Sequence, residues 1–322
     1  MKILDLNALP SSLRLQLPVV GVLDGDPAWG YEFVQRSRKL GIPHADYHAV
    51  YAIESGEIQS HVGVLWLTFT TADGSIPVAG IDNVATRPTA QRQGWAAALM
   101  EEVHRREVAR GVEWAFLWTH RSWGAHRLYE RLGYRDVYSP PAALKQPARK
   151  SRARLPTGYE WRPATIRDTS RLDRLVRRAA SHRLGFVTRF PRWFRARFVL
   201  EWRRPENYRI LLYRSREVGY ANLAVSDMWS VTANEVIVVD PSHIEAMIRA
   251  LEISALNKWL LFETTTFVTD AANQLRERGF SLYPTTHRTL MAKRLRGEAH
   301  EPNEIVSTIE SPKFSNHRGD MF

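Results

Sequence analysis

The stretch VATRPTAQRQGWAAALM, Val84 to Met100, decides how this 322-residue chain is read. A strand runs into Pro88, a polar loop follows, and a helix begins near Gly94. The first turn of a helix leaves backbone N–H groups unpaired at the positive end of its dipole, a setting that suits a phosphate or pyrophosphate. Gly94 lets the backbone approach an anion with no Cβ in the way. Small Ala96, Ala97 and Ala98 allow the helix to lie close to a sheet, and Arg87 and Arg92 add mobile positive charge. A plain strand–helix turn with an incidental glycine has the same local sequence, so the neighbouring elements must decide.

Upstream, the β-like runs Tyr47–Glu54 and Gln59–Thr70 flank a Ser55-Gly56 turn, and Asp73-Gly74 turns into Ile76–Thr86. Downstream, the helix from Gly94 to about Arg110 carries Ala96, Leu99, Met100 and Val103 on one face. Glu113–Thr119 reads as a buried strand, Ser122 as the N-cap of a short helix ending near Gly133, and Tyr134–Tyr138 as a last strand. The second half echoes this plan. Trp161–Ile166 leads into a helix Thr169–Arg183, then a hairpin of Tyr208–Tyr213 and Glu217–Val225, and a strand Asn234–Val239 ending at Asp240-Pro241. A helix to about Leu256, a strand Trp259–Thr266 and a helix Asp270–Arg278 complete it. Pro88 and Gly133 in the first half match Pro241 and Gly279 in the second, 45 and 38 residues apart, which points to an internal duplication. The expected fold class is α/β, with a mixed sheet flanked by helices in each of two domains. Their expected bounds are 1–140 and 159–297, with a Pro- and Arg-rich linker at 141–158 and a polar tail at 298–322.

Gln91-x-x-Gly94-x-Ala96 after a strand and Pro, followed by Ala125-x-x-Leu128-Tyr129-x-x-x-Gly133-Tyr134, resembles the GNAT superfamily of acetyl-CoA-dependent N-acetyltransferases. The resemblance covers residues 1–140 and implies a splayed mixed sheet with pantetheine inserted between Val84–Thr86 and Trp114–Trp118. It implies contacts to acetyl-CoA from Val84, Ala85, Thr86, Gln91, Arg92, Gln93, Gly94, Trp95, Ala96 and Ser122. Ala96 stands where a second glycine is more common, and Ser122 where the family often has Asn. The resemblance also implies a general-acid role for Tyr129, whose phenol O–H could protonate a departing thiolate, with packing against CoA as the alternative. A base for the acceptor amine is open between Asp82, given the strand parity of Val84 and Thr86, His120 at the end of the next strand, and ordered water. The second half has Ile244, Met247 and Arg249 in the places of Gln91, Gly94 and Ala96, and Leu275 in that of Tyr129. It resembles a copy that kept the fold and lost the acetyl-CoA chemistry; mycothiol synthase has a similar tandem plan, but there the C-terminal half is the active one.

Composition narrows the chemistry further. With 44% hydrophobic and 25% charged residues the chain has apolar material for two cores. It has no cysteine, which excludes disulfides, thiolate metal sites and cysteine nucleophiles, so acyl transfer is expected to be direct. Asp5, Arg14 and two prolines interrupt the first twenty residues, and no apolar run reaches the ~18 residues of a membrane span, so a cytoplasmic protein with no membrane association is expected. Between Arg149 and Arg216 nineteen Arg and one Lys stand against five acids, a net of +15. The rest of the chain therefore carries −4 of the total +11. Phe190, Phe194, Phe198 and Trp202 recur there at every fourth residue, so a core helix with solvated arginines is preferred to a nucleic-acid surface. An acidic partner for residues 149–216, a homodimer, and a non-catalytic acyl-CoA-responsive or nucleic-acid-binding regulator are the alternatives carried forward. His44, Asp46 and His48 sketch a metal site too sparse to expect one. Trp29, Tyr31 and Phe33 are candidates for an acceptor pocket, and the Phe322 carboxylate is a remote candidate base.

Overall fold

The computed structural model describes residues 2–17, 39, 46–139, 141–147, 154–181, 183–185, 189, 192–200, 204–226, 229–262, 267–284, 287–296 and 304–311. Its strands in the first half are β1 (Lys2–Asp5), β2 (Asp46–Glu54), β3 (Glu57–Thr70), β4 (Ser75–Thr86), β5 (Trp114–His120), β6 (Arg135–Tyr138) and β7 (Pro141–Lys145). The second half supplies β8 (Tyr159–Pro163), β9 (Tyr208–Tyr213), β10 (Arg216–Val225), β11 (Ser230–Val238), β12 (Trp259–Phe262), β13 (Ser281–Pro284) and β14 (Arg288–Arg294). The helices are α1 (Ser11–Arg14), α2 (Trp95–Ala109), α3 (Gly124–Arg131), α4 (Thr169–Ala180), α5 (Trp193–Leu200), α6 (Ile244–Ser254), α7 (Phe267–Asp270), α8 (Ala272–Glu277) and α9 (Glu304–Glu310). Among the described residues, no helix is long and apolar enough to cross a membrane.

Two mixed sheets result, ordered β1-β2-β3-β4-β5-β14-β6 and β8-β9-β10-β11-β12-β7-β13. Position for position they have the same plan, as the sequence echo predicts. The sixth place of each sheet is filled by the seventh strand of the other half. Pro141–Lys145 is therefore a strand of the second sheet, where a linker was expected from its Pro- and Ala-rich sequence. Likewise β14 belongs to the first sheet, and residues 304–310 of the expected polar tail form α9. The compact units are accordingly residues 1–137 with 290–306 and 321–322, and residues 138–289 with 307–320.

In the first unit β1 to β4 form an antiparallel meander, and β4 then pairs in parallel with β5 after the α2 crossover. One face of this sheet packs Val62, Val64, Ala79 and Ile81 against Leu99, Met100 and Val103 of α2. Gly111, at φ 86°, ends that helix in the left-handed conformation that glycine adopts without strain.

In the second unit α6 packs Met247, Ile248 and Leu251 on one face of the sheet, and α4 and α5 cover the other. Phe194 and Phe198 are buried, as the four-residue spacing predicts, while Phe190 and Trp202 lie outside the described residues. The arginines are less solvated than expected. Arg197 is buried, with its guanidinium 4.7 Å from the Trp193 ring. Arg189 pairs with buried Glu235, and Arg162 with Asp168 at 2.8 Å. Arg171 meets Glu217 at 3.4 Å, and Arg183 meets Asp270 at 2.5 Å.

Asp168 anchors the start of α4. Its carboxylate accepts from the Thr165 N–H and hydroxyl, both at 2.9 Å, and from both ends of the Arg162 fork. These bonds, led by Arg162, hold its pKa well below the usual carboxylate value. A carboxyl depressed in this way contributes stability above its unfolded pKa and loses it as pH falls through the folded one. Asp168→Ala should therefore cost about 1–3 kcal/mol near neutrality. In urea titrations the gap from the parent should narrow as pH drops below about 4. A constant gap from pH 7 to 3 would refute the assignment.

Candidate active site

The parallel pairing of β4 with β5 extends only over Val78–Gly80 and Trp114–Phe116. Beyond those residues β4 runs on to Thr86 and β5 to His120 without pairing to each other, so the strands part. On the far side β4 stays bonded to β3, but with an irregularity. His61 faces Ala85 and Gly63 faces Asp82, leaving Asn83 and Val84 opposite Val62 alone. This is a β-bulge, with Asn83 at φ 47°, and it bends the strand at the point where its other edge opens. The sequence is cut to fit: a Cβ on Gly63 would lie 2.6 Å from the Tyr47 hydroxyl and 3.0 Å from the Asp82 carbonyl.

At the end of the parted strands stands the expected anion loop. A short turn, Pro88–Ala90, is followed by exposed Gln91, Arg92, Gln93 and Gly94, and then by α2. Arg92 and Gly94 are left-handed, at φ 62° and 87°. Side chains tie the loop down from outside. Gln91 donates to the Thr86 carbonyl at 3.4 Å, Gln93 donates to that of Thr89 at 3.0 Å, and the Trp95 indole N–H donates to Gln93 at 3.3 Å. No side chain caps α2, so its first-turn N–H groups face outward. The arrangement fits a pyrophosphate at the loop and an extended chain along the open edge of β4.

The second unit keeps the frame and drops the loop. Among the described residues β11 pairs with β12 over Ser230–Ala233, the whole described length of β12, and a bulge follows before Glu235. There the turn Pro241–His243 runs straight into α6 at Ile244. The four residues Gln91–Gly94 have no counterpart, which accounts for most of the shortening between the halves.

Of the predicted residues, Val84, Trp95 and Ala125 pack against one cluster that contains Tyr129 and Leu117, on the α2 side of the sheet. Tyr129, on α3, is 7% exposed and edge-on to Tyr134 at 6.0 Å. Asp82 is not with them. The bulge breaks the alternation, so Asp82 shares the Gly63 face with Ala85, opposite to α2, and not the face of Val84 and Thr86. Ser122 does not cap the helix, whose N-cap is Trp123. Its hydroxyl bonds His120 Nδ1 at 2.7 Å, joining two predicted residues at the open end of β5.

His61, buried on the Asp82 face with its pKa lowered to about 4 by burial, was not anticipated. Nor was the set of buried His104 and Tyr134 with half-buried Lys293: His104 Nε2 lies 2.8 Å from the Tyr134 hydroxyl and Nδ1 lies 3.2 Å from Lys293 Nζ. A lone His on a helix, a Tyr after a glycine and a Lys 189 positions from His104 give no sequence signal. His48 stacks on Trp66 at 4.6 Å, with Nε2 3.5 Å from Glu107. Among the described residues no group of three or more His, Asp or Glu could hold a metal ion. His44, Trp29, Tyr31, Phe33 and Phe322 lie outside those residues.

Residues 27–137 match the family model of the acetyltransferase (GNAT) domain. In structure the chain is similar to a GCN5-related N-acetyltransferase from Anabaena variabilis, at 12% identity and a TM-score of 0.67, over 92% of this chain and 73% of that one. It is also similar to a GCN5-related N-acetyltransferase from Kribbella flavida, at 18% identity and a TM-score of 0.58, over 91% and 71% of the two chains. A tandem GNAT protein from the clavulanic acid biosynthesis pathway aligns at 12% identity and a TM-score of 0.53, over 92% of this chain and 100% of that one. At these identities the likeness is one of fold. A search of the curated proteins gives no match.

Because Gly63 faces both Tyr47 and the bulged strand, Gly63→Ala should destabilise the first unit by about 1–3 kcal/mol. Urea unfolding checks this, and a variant as stable as the parent would show that the strand tolerates a Cβ there.

Proposed function

We propose that this chain, whose residues 27–137 match the GNAT acetyltransferase domain, transfers an acetyl group from acetyl-CoA directly to a primary amine of a small molecule or protein. The observation that carries the reading is the parting of β4 from β5 beside an uncapped helix whose entry loop is left-handed at Arg92 and Gly94. Gln91, Arg92, Gln93, Gly94, Trp95 and Ala96 would hold the pyrophosphate. Val84, Ala85 and Thr86 would offer backbone groups to the pantetheine, and Ser122 a hydroxyl now shared with His120. Acetyl-CoA supplies an activated acyl group as a thioester.

The side chains of the domain handle the protons. Tyr129 donates to the departing sulfur, and a backbone N–H on the open β4 edge polarises the thioester carbonyl. By strand alternation His120, in line with Phe116 opposite Gly80, stands on the same face as Asp82, so both are kept as candidates for the group that accepts the amine proton. Water is the remaining candidate. With no cysteine to carry an acyl group, transfer goes through a ternary complex. The ion pairs of Arg162, Arg171, Arg183 and Arg189 within the second unit favour a structural use of the basic segment over a nucleic-acid surface. A cytoplasmic setting is part of the same proposal.

A panel of amines with acetyl-CoA, read by a thiol reagent, tests the activity directly, since the protein has no thiol of its own. Release with no amine in the panel, and no acetyl-CoA binding by calorimetry, would sink the reading. Gly94→Val puts a branched residue at φ 87° and should weaken acetyl-CoA binding by about tenfold or more. Unchanged affinity would remove the loop from the site. Tyr129→Phe should lower kcat by about 10²-fold with acetyl-CoA affinity intact, and equal turnover at all pH values would end its assignment as acid.

A further inference from the structure

The two units repeat one polar joint, and each time the joint holds a strand supplied by the other half of the sequence. Their cores align at a constant offset. Leu99, Met100 and Val103 of α2 pack on the first sheet as Met247, Ile248 and Leu251 of α6 pack on the second, each pair 148 residues apart. The same offset pairs buried His104 with buried Glu252, and Lys293 of β14 with Lys145 of β7. These lysines stand near the ends of strands that fill the sixth place in opposite sheets.

In the second unit Lys145 Nζ donates to the Glu252 carboxylate at 2.5 Å and to the Arg278 carbonyl at 2.6 Å, and it lies 5.1 Å from the Phe280 ring. One ammonium thus joins β7 to α6 and to the end of α8. In the first unit Lys293 Nζ lies 3.2 Å from His104 Nδ1 on α2, and its Cε lies 3.7 Å from where a Cβ of Gly133 would stand, just after α3. An ammonium can only donate, so Nδ1 accepts, the ring proton sits on Nε2, and Nε2–H donates to the Tyr134 oxygen at 2.8 Å. Burial and then the Lys293 charge lower the His104 pKa to about 3, so this joint has a neutral acceptor where the other has a carboxylate. Tyr134 follows its glycine as Phe280 follows Gly279. The Tyr134 backbone N–H donates to the Tyr129 carbonyl at 3.0 Å, and that of Phe280 to the Leu275 carbonyl at 3.0 Å.

We propose that Lys145 and Lys293 are one residue of the duplicated fold, a lock that fixes each exchanged strand to the helices over the sheet it enters, and that in the first unit the lock positions α3, and with it Tyr129, against α2. Lys293 and His104 are positioning residues, acting on Tyr129 through the Tyr134 backbone and through its ring, edge-on at 6.0 Å. The bearing on turnover rests on Tyr129 acting in the proposed reaction; the lock itself does not.

Hydrogen exchange on the full chain reads the lock directly. In Lys293→Met the β14 amides should exchange about tenfold faster while those of β7 keep the parent rates, and Lys145→Met should do the reverse. His104→Glu gives the first joint the acceptor of the second and should keep β14 protected, whereas His104→Leu should not. With an active amine, Lys293→Met should lower kcat about tenfold with acetyl-CoA affinity unchanged, and His104→Glu should keep the parent kcat. Parent-like β14 exchange in Lys293→Met, or equal loss of protection in His104→Glu and His104→Leu, overturns the lock. Fast exchange with normal kcat in Lys293→Met overturns the positioning of Tyr129. Exchange needs no amine, so it decides the lock even where no amine is acetylated and the reading of the reaction fails.

Discussion

A peptide group that leaves a sheet must find another partner or face water, and the first unit is organised around six residues of β4 that do so. After Gly80 the strand has lost β5 on one edge while keeping β3 on the other. The bulge at Asn83 is the mechanical response, since one extra residue on a single strand bends it out of the common twist. Gly63 follows from the bulge, because the bent strand and Tyr47 leave no room for a Cβ. The loop at 91–94 follows as well, because it turns the chain back over the gap and delivers a helix start there. Each local oddity of sequence in this region thus answers to one interruption of pairing.

The second unit shows what part of that design is architectural. It too has a bulge in the strand that leads to its proline, falling just before Glu235 where that of the first unit falls just after Asp82, and Glu235 lies six residues before Pro241 as Asp82 lies six before Pro88. There the carboxylate is buried against Arg189, and the Tyr220 hydroxyl also accepts from that arginine at 3.0 Å. A frame that survives in both copies belongs to folding. What differs, four exposed loop residues and a tyrosine, is where a ligand would be met.

Much of this was legible because glycine and proline punctuate it. Pro88, Gly94, Gly111 and Gly133 each mark an element end that the structure places within a residue or two. The duplication was legible for the same reason. Three features were not. The parity of Asp82 was misjudged because alternation along a strand holds only while pairing is regular, and nothing in Asp-Asn-Val announces a bulge. Ser122 has the residue type of an N-cap, but the hydroxyl found a closer partner in His120. And the strand Pro141–Lys145, PAALK, reads as linker in sequence because its β character comes from neighbours more than a hundred residues away, Leu260–Phe262 and Ser281–Pro284.

That reciprocal placement of β7 and β14 bears on how the protein is made. A ribosome delivers β1 to β6 early, yet the place between β5 and β6 stays empty until residue 294 has emerged. During that interval β5 presents an unpaired, largely apolar edge, the kind of surface that recruits other chains. The two copies are consequently joined as parts of one synthesis, and a gene cut at the midpoint would yield two sheets that each lack an inner strand. Divergence could strip the second copy of its loop, but not remove the copy itself.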